Sequence, residues 1–129
     1  MRKQYYFRRT SRGLLAWDVD RLVSLTRDFP VLKIPLTEIR EIGEPFSSEF
    51  DEPPTWKSMV EHIRLIDAAD LRFPIILSCE GRVMDGMHRV IKALFDNRAT
   101  IDAVRFPADP EPDYIDVDPA QLPYDELVP

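Results

Sequence analysis

The segment 85–89, Asp-Gly-Met-His-Arg, places a carboxylate, an imidazole and a guanidinium within one short stretch of the chain. The apolar run at 75–77 before it predicts a buried strand, and the apolar spacing that begins at Met87 predicts a helix. Unpaired backbone N–H groups and the positive end of the helix dipole attract anions to the first turn of a helix. Gly86 allows an anion to approach the backbone closely, and Arg89 can donate a forked pair of hydrogen bonds. The segment therefore predicts a phosphate site.

The same residues also fit a purely structural interpretation. Asp85 is placed to cap the helix with its side chain, and Gly86 can serve only the sharp turn into the helix. His88 and Arg89 then lie on the solvent-facing side of an amphipathic helix. Spacing alone does not separate this interpretation from the phosphate site.

Other segments predict the elements that position this turn. Alternation around Tyr5 and Phe7, followed by a turn at 11–13, predicts an N-terminal hairpin. Asp18 is placed to cap a short helix that ends before Pro30. A second amphipathic helix is predicted from the spacing of Trp56, Met59, Val60, Ile63 and Ile66.

A loop with many helix and strand breakers is predicted for residues 43–54, which include Gly43, Pro45, Pro53 and Pro54. This loop fits a plain connector, and it equally fits an active-site lid. Its candidate functional side chains are Glu44, Ser47, Ser48 and Glu49.

The strand at 75–77, the 85–89 turn and the following helix resemble the ParB/sulfiredoxin superfamily, in which a Gly-x-(His/Arg)-Arg turn opens a helix that leads to a short strand. Here that strand is Thr100–Arg105, and residues 31–39 resemble the family's first strand and its Pro-Leu-x-x-Ile step. The resemblance implies an α/β fold, a single small domain with a mixed β-sheet flanked by helices. It covers residues 31–106, with a hairpin extension at 1–30 and an acidic, Pro-rich tail at 107–129. It also implies that nucleotide phosphates contact Gly86, Met87, His88 and Arg89.

Two branches of this superfamily bear on catalysis. Sulfiredoxins carry a nucleophilic cysteine where this chain has Met87, and a thioether cannot do that chemistry; the single cysteine, Cys79, is expected to be inert. The turn matches more closely the branch that resembles ADP-dependent kinases of free serine, which has Asp-Gly-x-His-Arg and a catalytic glutamate after the first strand. The glutamates that follow the first strand here are Glu38, Glu41 and Glu44.

Length and composition predict one domain without disulfides or structural metal. With 129 residues and 44% hydrophobic content, the chain can bury roughly two-thirds of its unfolded surface. No apolar run approaches the ~20 residues of a membrane span, and no signal-peptide pattern follows Met1, which predicts a cytoplasmic protein without a membrane partner. No Cys/His cluster has metal-ligand spacing.

Charge is distributed unevenly along the chain. Residues 1–12 carry five bases and no acid, whereas residues 107–129 carry seven acids and no base. With a net charge of −6, the molecule lacks the basic surface of a general nucleic-acid binder. The N-terminal bases are interpreted as a solvated hairpin face, and the tail as disordered or as a strap, which its apolar residues favour. The expected anchors of the strap are Tyr114, Ile115, Leu122 and Tyr124.

Three classes of function follow from these residues. In a nucleotide-dependent phosphotransferase or hydrolase, Arg89 and the helix N-terminus hold ATP, ADP or CTP, Asp85 binds Mg²⁺ or a hydroxyl group and His88 assists. The catalytic base is then Glu38, Glu41 or Glu44. In a non-catalytic module the same turn senses a nucleotide, and the strap or hairpin recruits a protein partner. A ParB-like nuclease or DNA-binding protein fits the acidic charge poorly. The sequence leaves the second substrate and a homodimer open.

Overall fold

Two β-sheets and three α-helices form over residues 2–45 and 53–124, the parts of the chain that this computed structural model describes. The helices are α1 (Val19–Leu25), α2 (Trp56–Ala68) and α3 (Met87–Phe95). The strands are β1 (Tyr5–Thr10), β2 (Gly13–Asp18), β3 (Leu32–Pro35), β4 (Ile75–Leu77), β5 (Val83–Asp85), β6 (Thr100–Arg105) and β7 (Tyr114–Ile115). Short 3-10 helices cover Leu36–Glu38, Arg40–Gly43 and Pro119–Gln121.

The central sheet has the strand order β3-β6-β4-β5, with β4 parallel to β6 and the other pairs antiparallel. Successive side chains of a strand point to opposite faces, and both faces of this sheet are covered. Ile75 and Leu77 pack in the cluster that includes Val90 of α3, whereas Ile76 packs in the cluster that includes Trp17 of the hairpin. The α/β class and the mixed sheet are as the sequence predicts.

A second sheet, with the order β1-β2-β7, joins the N-terminal hairpin to the tail. The hairpin and its turn are confirmed, and the tail contributes a third antiparallel strand through Ile115 opposite Leu15. Leu122 is buried as the strap predicts, but Ile115 is exposed and is not an anchor. The structure therefore contains a second, three-stranded sheet in addition to the single sheet that the resemblance implies.

The interpretation of the N-terminal bases as a solvated face is wrong for Lys3 and Arg8, whose side chains are only 25% and 27% exposed, and fits the exposed Arg12. Lys3 pairs with Asp18 at the end of β2, whereas Arg8 and Arg12 pair with carboxylates of the tail, because β7 and the segment before it lie along the hairpin. The N···O distances are 2.9 Å for Lys3–Asp18, 2.8 Å for Arg8–Asp109 and 3.2 Å for Arg12–Glu111. The opposite charges of the two chain ends thus meet in the folded structure.

Helix α2 begins at a capping box, in which the Thr55 hydroxyl accepts from the Ser58 N–H at 3.0 Å and the Ser58 hydroxyl accepts from the Thr55 N–H at 2.7 Å. Its predicted position is confirmed, but no residue of this helix is buried. Over residues 2–45 and 53–124, no helix is long and apolar enough to cross a membrane.

Candidate functional site

A cavity of about 1000 Å³ lies where α3 begins. The whole 85–89 segment lines it, so the structure brings together Asp85, Gly86, Met87, His88 and Arg89. Residues 2–7 and Tyr124 of the tail also line it. The sequence analysis assigned the hairpin no part in this site. The opposite charges of the two chain ends were the sequence feature that indicated a contact between the hairpin and the tail.

Helix α3 starts without a side-chain cap. Gly86 occupies the N-cap position in a left-handed conformation, with φ of 106°, and no side chain accepts a hydrogen bond from the first turn. Asp85 ends β5 instead of capping the helix, so its predicted role as N-cap is wrong. The Arg89 N–H donates to the Gly86 carbonyl at 3.0 Å, so the N–H groups of Met87 and His88, two residues that line the cavity, are the ones left for an anion.

Gly86 is required by its surroundings as well as by its backbone conformation. A Cβ atom at this position would lie 2.7 Å from Cγ2 of the fully buried Ile75 and 2.9 Å from Nη2 of Arg89. The left-handed conformation adds strain for any residue with a side chain. Gly86 therefore fixes the angle at which α3 leaves β5.

The guanidinium of Arg89 is held by the protein itself. It donates to the carbonyl oxygens of Phe73 and Pro74 and to Oδ2 of Asp85, each at 3.0 Å. Both side chains of the ion pair are largely buried. Three of its five N–H donors therefore bond within the protein, and they fasten the start of α3 to the segment before β4.

His88 lies half-buried in the second position of α3, and its Nε2 is 3.3 Å from Nδ1 of His62 on α2. Burial lowers the pKa of His88, the neighbouring His62 lowers it further, and Asp85 opposes both effects. The imidazole is thus biased toward its neutral form at neutral pH, unless an anion in the cavity stabilises the proton.

The lowered pKa of His88 predicts a pH-dependent stability. The unfolded chain binds this proton before the folded one does, so the free energy of unfolding should fall as the pH drops below the ordinary histidine value of 6.5. Urea unfolding at a series of pH values measures the effect, and His88→Gln should flatten the slope. An unchanged slope in His88→Gln would assign the dependence to other groups.

The glutamates proposed as catalytic bases are engaged elsewhere. Glu44 makes two hydrogen bonds with Arg82, both at 2.8 Å, and Oε2 of Glu41 accepts the Val83 N–H at 2.5 Å. The hydrogen bonds from Arg82 lower the pKa of Glu44. Neither these two glutamates nor Glu38 line the cavity. Ser47, Ser48 and Glu49 of the proposed lid lie outside the described residues.

Two carboxylates line this cavity, those of Asp70 and Asp85, and each is paired with an arginine, Arg72 and Arg89 respectively. Across residues 2–45 and 53–124, no three side chains of His, Cys, Asp or Glu form a group that could hold a metal ion. The residues present therefore fit Mg²⁺ only if a phosphate supplies most of its ligands.

Cys79 lies away from the proposed site. Its backbone N–H donates to Oδ1 of Asp109 at 2.8 Å, its carbonyl accepts from Arg105 at 2.6 Å, and it is not among the residues that line the cavity. Met87 packs against the core cluster under α3.

Comparison of the chain with protein-family models, curated proteins and solved structures finds no significant match.

Proposed function

We propose that this protein binds a nucleotide or another phosphorylated small molecule in the cavity, with a phosphate against the first turn of α3. The observation that carries the proposal is the opening of an uncapped helix start into a cavity of about 1000 Å³. The resemblance of the 85–89 turn to the ParB/sulfiredoxin superfamily supports the same ligand class. Backbone N–H groups and His88 are the proposed phosphate donors, because Arg89 already donates to three internal acceptors.

The contacts of the glutamates favour the non-catalytic form of this proposal. A general base must lie within hydrogen-bond reach of the proton that it removes. Glu44 and Glu41 instead bond to Arg82 and to the Val83 N–H, and Oδ2 of Asp85 accepts from Arg89. We therefore propose a nucleotide-responsive binding module. Product analysis after incubation with each bound nucleotide tests this form, and rapid turnover would replace it by the phosphotransferase or hydrolase.

A thermal-shift series with ATP, ADP and CTP, with and without Mg²⁺, tests binding. A ligand at about 100 times its dissociation constant adds about 2.7 kcal/mol of stability and should raise the midpoint by several degrees. No shift with any of these nucleotides would contradict the proposal.

The matched variants His88→Ala and His62→Ala locate the site. Both remove the contact between the two imidazoles, but only His88 lines the cavity. Loss of a hydrogen bond to a charged group, about 1.5–3 kcal/mol, should raise the dissociation constant at least tenfold in His88→Ala. His62→Ala should bind as wild type does, with each variant compared to its own unliganded midpoint. Equal losses in both would place the ligand elsewhere.

A further inference from the structure

Helix α2 exposes apolar side chains on the side that faces solvent. Trp56, Val60 and Ile63 are 85%, 46% and 56% exposed. A helix of this length is marginal in water by itself, and helices in proteins gain most of their stability by packing an apolar face. The exposed side of α2 therefore has the character of a contact surface.

The spacing of these residues is that of a seam between two helices. Trp56, Val60 and Ile63 are separated by four and three residues, and Asp67 follows after four more. At about 100° per residue, the four positions fall within about 60° of one another. The contacts of α2 with α3 use another side of the helix, where His62 meets His88. The seam is thus available to a second molecule.

Charges on α2 are complementary to those on a second copy of the same helix that runs in the opposite direction. Along the helix they follow the order Lys57, Glu61, Arg64, Asp67. Reversing this order places an acid opposite each base, so that Lys57 faces Asp67 of the second copy and Arg64 lies near its Glu61. The four charges sum to zero, so this surface escapes the repulsion expected between two molecules of net charge −6.

We propose that α2 forms the interface of an antiparallel, two-fold symmetric homodimer. Val60 and Ile63 pack against the same residues of the second copy, Trp56 covers the end of the second helix beside its Asp67, and two equivalent Lys57–Asp67 pairs lie on either side of the apolar centre. One helix face buries less than the roughly 800 Å² per partner of a standard interface, so the dimer dissociates on dilution. The proposal is independent of the ligand in the cavity.

Sedimentation equilibrium over a range of protein concentrations tests the association, and tryptophan quenching shows which surface is used. Trp56 is 85% exposed and Trp17 is 1% exposed, so acrylamide quenches mainly Trp56 in the monomer. Quenching should decrease as the protein is concentrated into the dimer range. A monomer at all concentrations would overturn the proposal. A dimer in which acrylamide quenches Trp56 as strongly as in the monomer would overturn it as well.

Charge exchange tests the pairing of the two helices. Lys57→Asp and Asp67→Lys each place like charges in contact twice per dimer and should raise the dissociation constant about tenfold. Each change also suits the dipole at its end of α2, so the helix itself is retained. The double variant restores opposite charges and should return to wild-type affinity, and Arg27→Asp, outside α2, serves as the control. Unaffected single variants, or a double variant that remains monomeric, would overturn this arrangement.

Discussion

Replacing Arg89 with alanine is expected to lower the free energy of unfolding by about 3 kcal/mol. The side chains of Arg89 and Asp85 are only 17% and 20% exposed. Without the guanidinium, the partly buried Asp85 carboxylate and Pro74 carbonyl lose their shared donor, whereas the more exposed Phe73 carbonyl can bond to water. Leaving these acceptors without a donor costs more free energy than the hydrogen bonds themselves contribute to the stability of the folded protein.

Urea unfolding of Arg89→Ala and Arg72→Ala makes the comparison direct, because both arginines pair with an aspartate. Arg72 is 87% exposed and its contacts with Asp70 are open to solvent, so its loss should leave the free energy of unfolding nearly unchanged. Arg89→Lys should fall between wild type and alanine, since an ammonium can keep the charge pair but cannot reach three acceptors as a planar fork does. Equal effects at positions 72 and 89 would show that Arg89 is a solvent-facing residue.

Local sequence patterns predict the elements on both sides of the site. The apolar run at 75–77 and the helical spacing from Met87 place β4 and α3, because each depends on residues a few positions apart. Asp18 caps α1 as predicted, with its Oδ1 accepting the Asp20 N–H at 2.9 Å. The same rule fails at Asp85, because β5 extends through this residue and Gly86 takes the cap position.

Tertiary contacts decide what the 85–89 segment can do, and no local pattern encodes them. Arg89 is occupied because the chain returns past Phe73 and Pro74, and the glutamates are occupied because Arg82 and Val83 lie beside them. Periodicity shows that α2 has an apolar face but not whether another element covers that face. These are properties of how the elements pack, and packing depends on residues that are distant in sequence.

Asp109→Ala is expected to lower the free energy of unfolding by about 3 kcal/mol. Its Oδ2 accepts from Arg8 at 2.8 Å and its Oδ1 accepts from the Cys79 N–H at 2.8 Å, so one carboxylate links the tail, the hairpin and the end of β4. Arg8 also stacks over Trp17, with its guanidinium carbon 4.8 Å from the ring centroid. Nη2 of Arg8 is buried and makes no hydrogen bond within the described structure, so loss of the carboxylate leaves a partly buried cation without its anion.

Acid unfolding and a double-mutant cycle with Arg8→Met separate this pair from packing effects. Burial alone would raise the pKa of Asp109, but the Cys79 N–H and Arg8 outweigh it and hold the pKa below its usual value. The stabilisation is therefore present above the unfolded pKa of about 3.9 and is lost as the pH falls through the lower folded value.

The double variant Arg8→Met with Asp109→Ala should be clearly less destabilising than the two single effects added, because the double variant buries no lone charge. Glu111→Ala, whose Arg12 partner is exposed, should cost less than about 0.5 kcal/mol. Strict additivity in the cycle would mean that Arg8 and Asp109 contribute independently to stability.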